Sequence, residues 1–423
     1  MILDRTIPHG LSLRFLFPDA EFFGAADICA ARVASQLDSC QVGDLFVALP
    51  DGSRDGHDLA REAAARGASA VLAERLLPID LPVCVVSDLR QAYGKLCQAL
   101  HAHPSRELKV IGITGTSGKT TTACLIASIL AAAEHRVGVV GSLGYCDSLA
   151  MAPAKGNHFD AFELAHWLRR MASAGCTHAV VEAPSAALAE SQLAGVELDL
   201  ACLTNIGHHH LDLHGTLSGY CRVKRRIFEH LRPEGLAIFN ADDPLSARMM
   251  QRFPGPALSA GMHCQAEITA TLLERSRSEQ TFLLIAGSES IAVRTAMIGD
   301  EHLACCLLAA TAGLACDMDL TTIARGLENA GQIPGRLERI ECGQEFGLFV
   351  DHARTPVQLD RALRTLREVT EHRLICVFGC EGGHSRTQRP TLGHTAESLA
   401  DVVVLTSDNP GFEAPEAIAD DIL

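Results

Sequence analysis

The chain has 423 residues, is 48% hydrophobic and 21% charged, and carries a formal net charge of −15. That length predicts about two to three domains, each with apolar residues enough for its own core. The acidic balance excludes a general nucleic-acid surface and an anionic-membrane surface, while local lysines, arginines and helix ends can still hold an anionic ligand.

The first residues carry no secretory signal, because Asp4, Arg5 and His9 interrupt any apolar core. Residues 1–105 alternate short β-rich runs (45–49, 70–73, 83–86) with helical stretches, and His103-Pro104-Ser105 reads as a linker. From Lys109 onward, candidate strands at 109–113, 136–140, 178–182, 198–203 and 236–240 alternate with helices at 121–133, 159–174 and 217–231. This order predicts a mostly parallel, doubly wound α/β sheet with ligands at the carboxyl ends of its strands. An antiparallel excursion follows (266–271, 281–285, 290–295), then a helix at 302–314 and a hinge, Gln332-Ile333-Pro334-Gly335-Arg336. A third α/β unit has strands at 347–351, 374–379 and 402–406. It is short against the ~100–200 residues of a typical domain and stops in a helical stretch, 415–423, which reads as a C-terminal truncation. No apolar stretch reaches the ~20 residues of a membrane span. The sixteen cysteines are scattered, without a Cys-x-x-Cys pair, and many lie in apolar runs. They read as small buried residues of a soluble, cytoplasmic protein.

The most informative stretch is Ile111–Thr122, Ile-Gly-Ile-Thr-Gly-Thr-Ser-Gly-Lys-Thr-Thr-Thr, between an apolar run and a helix-forming run. Strand, Gly-rich turn, Lys-Thr and helix form the layout of a phosphate-binding loop, in which backbone N–H groups and the helix N-terminus face the phosphates. Lys119 would reach the β/γ-phosphates and Thr120 would offer its hydroxyl to Mg²⁺. The strict pattern has glycine where this chain has Ile113, so the loop is a variant, Gly115-Thr116-Ser117-Gly118-Lys119-Thr120. Glu182 ends a buried strand and is either a Mg²⁺ ligand or a capping residue of the next turn. Residues 204–215 hold four histidines in seven positions, read as a polar loop or as a metal or phosphate contact. Composition alone does not single out Lys224, which sits in a basic helical run. Asp351, at a strand end, could hold a ribose hydroxyl or start a turn.

Together these pieces resemble the Mur ligase family, and within it the branch that adds the third peptide residue to UDP-N-acetylmuramoyl-dipeptide. The first region carries Asp38-Ser39, Gly43-Asp44-Leu45-Phe46-Val47-Ala48-Leu49 and Asp55-Gly56-His57, similar to the family's uridine-side segment. The loop, Glu182, Thr204-Asn205, His210-Leu211-Asp212, His214-Gly215, Tyr220, Lys224 and Asn240-Ala241-Asp242-Asp243-Pro244 follow in family order. So do Gly335-Arg336, Val350-Asp351, Thr355-Pro356, Phe378-Gly379-Cys380, Arg389-Pro390 and Ser407-Asp408-Asn409-Pro410. The resemblance implies three domains: 1–105 (small α/β, UDP-substrate side), 106–334 (central ATP-binding, doubly wound) and 335–423 (Rossmann-like, incomplete). It implies that ATP phosphorylates the carboxylate of a UDP-N-acetylmuramoyl-peptide and that an amino acid's amine attacks the acyl phosphate. ATP contacts would be Gly115, Thr116, Ser117, Gly118, Lys119, Thr120, Thr121, Asn240, Arg336 and Asp351. Mg²⁺ ligands would be Thr120, Glu182 and His210. Lys119, His210 and Lys224, the last carbamylated, would carry catalysis. Ser39, Asn157, His158, Ser185, Asp408 and Asn409 would contact substrates. A monomer without nucleic-acid or membrane partners is expected.

The chain departs from the family pattern at several points. Ala183-Pro184-Ser185-Ala186 replaces a Ser-Ser-His run, His209 an aspartate, and Asn157-His158-Phe159 a Thr-Thr-Pro. His352 and Arg354 alter Asp-Tyr-Ala-His-Thr-Pro, Glu301-His302 stands near a lost adenine-side asparagine, and 382–389 has lost Asp-Arg charges. Gly411 ends an Asp-Asn-Pro-Arg motif. These changes fit altered substrate recognition in an active ligase, or a degenerate nucleotide-binding relative without activity. A folylpolyglutamate synthetase is disfavoured by the first domain, and a lipid II amidotransferase subunit by the missing four-cysteine zinc insert.

Overall fold

The structure is a computed structural model that describes residues 10–50, 54–154, 159–207, 211–383 and 386–423. Chain contacts define two units: residues up to Thr116 with 135–237 and 251–257, and 117–134 with 238–250 and 258 onward.

The first unit opens with a five-stranded sheet in the order Glu21–Phe23, Val83–Val85, Ala70–Ala73, Leu45–Val47, Val33–Ala34. Its last four strands are parallel, and Glu21–Phe23 is an antiparallel edge. Ala70–Ala73 is buried at every position, the continuous apolar run that a strand covered on both faces requires. Helices Gly56–Ala65 and Leu89–Leu100 begin at Asp55 and Asp88, whose carboxylates accept N–H bonds from His57 and Gln91.

Besides a short pair, Leu11–Ser12 with Cys29–Ala30, the unit has strands in the order Met151–Ala152, Gly144–Cys146, Val137–Gly141, His178–Glu182, Lys109–Thr114, Leu198–Leu203 and Leu231–Asn240, the last passing into the second unit. The pairs joining 137–141, 178–182, 109–114 and 198–203 are parallel, as the alternation of strands and helices predicts. The short antiparallel strands at 144–146 and 151–152 carry too few residues for a period to register. The helix expected over 217–231 stops at Arg225 and tightens into a 3₁₀ turn, Arg226–His230. Pro233 disfavours the helical region for Arg232, so the chain turns early into the strand Leu231–Asn240.

In the second unit, Ile268–Arg275, Gln280–Ala286 and Glu289–Thr295 form the expected antiparallel meander. Helix Lys119–Ala132 packs with Asp300–Ala315 and Leu320–Asn329. Near the end, strands Ile375–Phe378 and Val402–Leu405 pair in parallel. Helices Pro356–Glu368, Arg389–Leu399 and Pro415–Ile422 cover them through Leu359, Leu363, Leu392, Ala396, Ile418 and Ile422. Arg389, in the segment that lacks the family's usual Asp-Arg charges, is 1% exposed and donates to both Glu413 and Asp421. These bonds hold Glu413 down to a pKa of about 2.

Burial sets a pH response. It pushes His178 and His230 down to about 4 and His302 to about 3. Each binds a proton more readily unfolded than folded, so each is stability-neutral above about pH 6.5 and costs stability as pH falls below it. Glu413 adds to the loss only below its ordinary pKa of 4.5. Urea midpoints measured at pH 7.5, 6 and 5 should therefore decline steadily; a flat profile would show these imidazoles to be solvated.

Candidate active site

Strand Lys109–Thr114 is buried from Val110 to its end and delivers the chain into the loop. Gly115 has φ +154° and Gly118 φ +80°, a left-handed conformation at Gly118 that favours glycine. A Cβ on Gly115 would collide with Thr204 Oγ1. Helix Lys119–Ala132 starts directly after Gly118 with no side-chain cap, the arrangement in which a helix N-terminus serves anions.

On the first unit's side, parallel register sets Glu182 opposite Ile113, one strand from the loop's first residues. Glu182 is 5% exposed. Its Oε1 accepts the Ser142 N–H at 2.9 Å, and the following helix is capped at Pro184, so Glu182 is not that helix's cap. Lys224, on helix Leu217–Arg225, is 1% exposed. Its Nζ donates to Thr114 Oγ1 at 3.0 Å and to the Gly115 carbonyl at 2.8 Å, and lies 5.4 Å over the Tyr220 ring. Thr114 Oγ1 passes its own hydrogen to the Ala183 carbonyl at 2.6 Å. Thr116 Oγ1 accepts from Gly207 N at 2.8 Å and lies 3.2 Å from Tyr220 Oη. A buried lysine thus braces the loop from below. Residue composition gave no reason to single it out, because burial alone separates Lys224 from its exposed basic neighbours. Thr114 and Ser142 were missed for a related reason: an ordinary strand-end threonine and a turn serine acquire their partners only in the folded sheet.

Within the second unit, Arg336 Nη2 donates to Thr120 Oγ1 at 3.2 Å. Thr120 and Thr121 are buried in the first turn of the loop helix. Cys305 Sγ lies 3.7 Å from the Gly118 carbonyl. Asp351 Oδ2 accepts the Leu337 N–H at 2.8 Å, bracing the turn beside Arg336, and burial raises its pKa. Asn240 ends its strand and accepts from Asp242 N at 2.9 Å. Asn409 donates to Asp408 Oδ1 at 3.1 Å, and its carbonyl accepts from Gly382 N at 3.0 Å. Ser185 is buried at the start of helix Ser185–Ala189. Ser39 donates to the Gln36 carbonyl at 2.9 Å. His210, Asn157 and His158 lie outside the described residues. Among the described residues no group of three His, Cys, Asp or Glu could hold a metal, and none of the sixteen cysteines is in a disulfide.

A separate cavity of about 420 Å³ lies by the ends of strands 45–47 and 70–73, lined by Arg54, Asp55, His57, Glu74, Arg75 and Arg90 among others. His57 fixes its rim: Nδ1 donates to Asp55 at 2.7 Å, and Nε2 accepts from Glu74 N at 3.1 Å. Ser39 is not among the lining residues.

The fold and loop define an α/β protein of the phosphate-binding-loop class. Residues 113–313 match the Mur ligase middle domain, and 335–423 match the Mur ligase, glutamate ligase domain. The chain belongs to the Mur ligase family. It is 35% identical over 399 residues to the UDP-N-acetylmuramoyl-L-alanyl-D-glutamate–2,6-diaminopimelate ligase of Geobacillus kaustophilus, covering 92% of this chain and 81% of that one. The same-named ligase of Gloeobacter violaceus is 36% identical over 404 residues, 94% of this chain and 82% of that one. A solved structure of a ligase of that name superposes with a TM-score of 0.75 at 28% identity, over 98% of this chain and 85% of the other. MurF ligase from Thermotoga maritima in complex with ADP shares the fold, with a TM-score of 0.64 at 20% identity, over 92% and 90%. Among the described residues no helix is long and apolar enough to cross a membrane.

Proposed function

We propose that this chain is an ATP-dependent ligase that joins an amino acid to a UDP-N-acetylmuramoyl-peptide in peptidoglycan precursor synthesis. One observation carries the reading: the variant phosphate loop Gly115–Thr120 opens a helix with no side-chain cap, with Lys224 bonded to the Gly115 carbonyl beneath it. The activity named for relatives at 35–36% identity supplies the substrate class.

The reaction needs the peptide carboxylate to attack the γ-phosphorus with loss of ADP, then the amine to attack the acyl carbon with loss of phosphate. Phosphoryl transfer asks mainly for positioning and charge neutralisation. Backbone N–H groups of Gly115–Thr121 would hold the phosphates, with Lys119 and Arg336 neutralising charge. Asn240 and Asp351 would contact the nucleoside. The Thr120 hydroxyl and Glu182 carboxylate are hard oxygen donors of the kind Mg²⁺ takes, with His210 as a further ligand. When bound, Mg²⁺ would neutralise charge developing on the phosphates. Lys224, if carbamylated, would keep one N–H and so only one of its two bonds, to Thr114 or to Gly115. Ser39, Asn157, His158 and Ser185 would contact the muramoyl-peptide and Asp408 and Asn409 the amino acid. The Arg54–His57 cavity suits the uridine end. The reading keeps three domains, 1–105, 106–334 and 335–423, and a cytoplasmic monomer without nucleic-acid partners.

A degenerate, inactive relative draws no support: it too would keep Gly115–Thr121, and the relatives at 35–36% identity are named as ligases. The test is phosphate release from ATP with UDP-N-acetylmuramoyl-dipeptide and a panel of amino acids that includes diaminopimelate and lysine. Release that depends on both substrates is expected; silence across the panel would overturn the reading.

A further inference from the structure

We propose that Arg361 is a positioning residue for the nucleotide's phosphates, held by Glu301 in the resting protein and handed to the phosphate chain when the loop fills. The inference rests on the nucleotide reading above and adds a residue to it. Arg361 lies on helix Pro356–Glu368. Its Nη1 is 3.0 Å from Glu301 Oε2 and 3.4 Å from Ser117 Oγ, in the middle of the phosphate loop. One guanidinium therefore spans a loop hydroxyl and a carboxylate in the first turn of helix Asp300–Ala315.

The helix bearing Arg361 is anchored just beyond it. Gly299 abuts Thr365, where a Cβ would come within 2.7 Å of Cγ2. Arg275 joins Asp300 at 2.5 Å and Glu368 at 2.6 Å. Those contacts fix the backbone and leave the arginine's long side chain to choose between partners. The Arg361–Glu301 pair is about half exposed on both sides (42% and 51%), the kind of ion pair that contributes little and exchanges cheaply. A phosphate offers the same guanidinium a stronger, charge-assisted and bidentate partner. Asp243 and Asp300 add negative charge around Glu301, so a polyphosphate approaching without Arg361 would meet an acidic flank. Arg336 already reaches the loop at Thr120, and Arg361 would be the second arginine from this region to do so.

The handover makes opposite predictions for the two partners, which a merely structural salt bridge does not. Binding of a non-hydrolysable ATP analogue, measured by calorimetry, should weaken about tenfold in Arg361→Gln, as expected for losing a charge-assisted phosphate contact. Arg361→Lys should recover part of that loss. Glu301→Gln should bind about threefold more tightly, because it releases the arginine from an exposed pair. The gain should vanish in the double variant. Melting temperatures establish that each variant is folded. Unchanged affinity in Arg361→Gln, or a shift of the same sign in both single variants, overturns the handover while wild-type binding sustains the nucleotide reading. A wild-type protein that binds no analogue overturns both.

Discussion

Lys119→Ala is expected to abolish ATP-dependent turnover, with a loss of about 10³-fold or more, the scale on which cationic stabilisers act in phosphoryl transfer. The fold should not suffer. Lys119 is the first residue of its helix, where a positive charge opposes the helix dipole and alanine is the better helix former. The variant should stay folded while activity disappears. Phosphate release and thermal melting of the same preparation check both halves. Turnover at the wild-type rate would remove the loop from the mechanism.

Lys224→Met should injure both activity and stability. Nζ is the donor to Thr114 Oγ1 and to the Gly115 carbonyl, in a position 1% exposed. Methionine fills similar volume but leaves those acceptors without that donor, at a cost of about 1–3 kcal/mol. Relief from burying an ammonium works against this loss, so the stability change should fall toward the lower end. The loop's first carbonyl would lose its bond to the ammonium. A turnover loss of about 10²-fold is the scale for removing one preorganised polar contact at a reacting phosphate or acyl centre. Denaturant titration and steady-state assay measure the two effects. Full activity with an unshifted midpoint would show the lysine to be an idle core residue.

The loop, its strand and its helix were legible because they depend on local chemistry. Glycine conformations, a lysine-threonine pair and an apolar run all lie within a dozen residues. Glu182 was legible through its strand, since a carboxylate closing a buried run needs a partner. Lys224 was legible only by resemblance, because its distinction is three-dimensional: Arg222 and Arg225 beside it face solvent, and nothing in their spacing says which of the three turns inward. Arg361 gave no signal at all. An arginine on an amphipathic helix is ordinary until Ser117 and Glu301, some 244 and 60 positions away, are brought to it. The segment around Arg389 gave no sign of a structural role, since only its missing family charges drew notice. In the structure a buried guanidinium ties the strand-end loops to the last helix through Glu413 and Asp421.

Ten of the sixteen thiols are buried, five in each unit: Cys40, Cys84, Cys97, Cys176 and Cys202 in the first, and Cys305, Cys306, Cys316, Cys376 and Cys380 in the second. Burial lifts Cys84 and Cys305 to about 12, so the reactive thiolate is scarce as well as hidden. The protein therefore carries its own opening sensors. An alkylating reagent would tag each half at the pace at which that half breathes, and mass spectrometry of the tags would time the two separately without any engineered label.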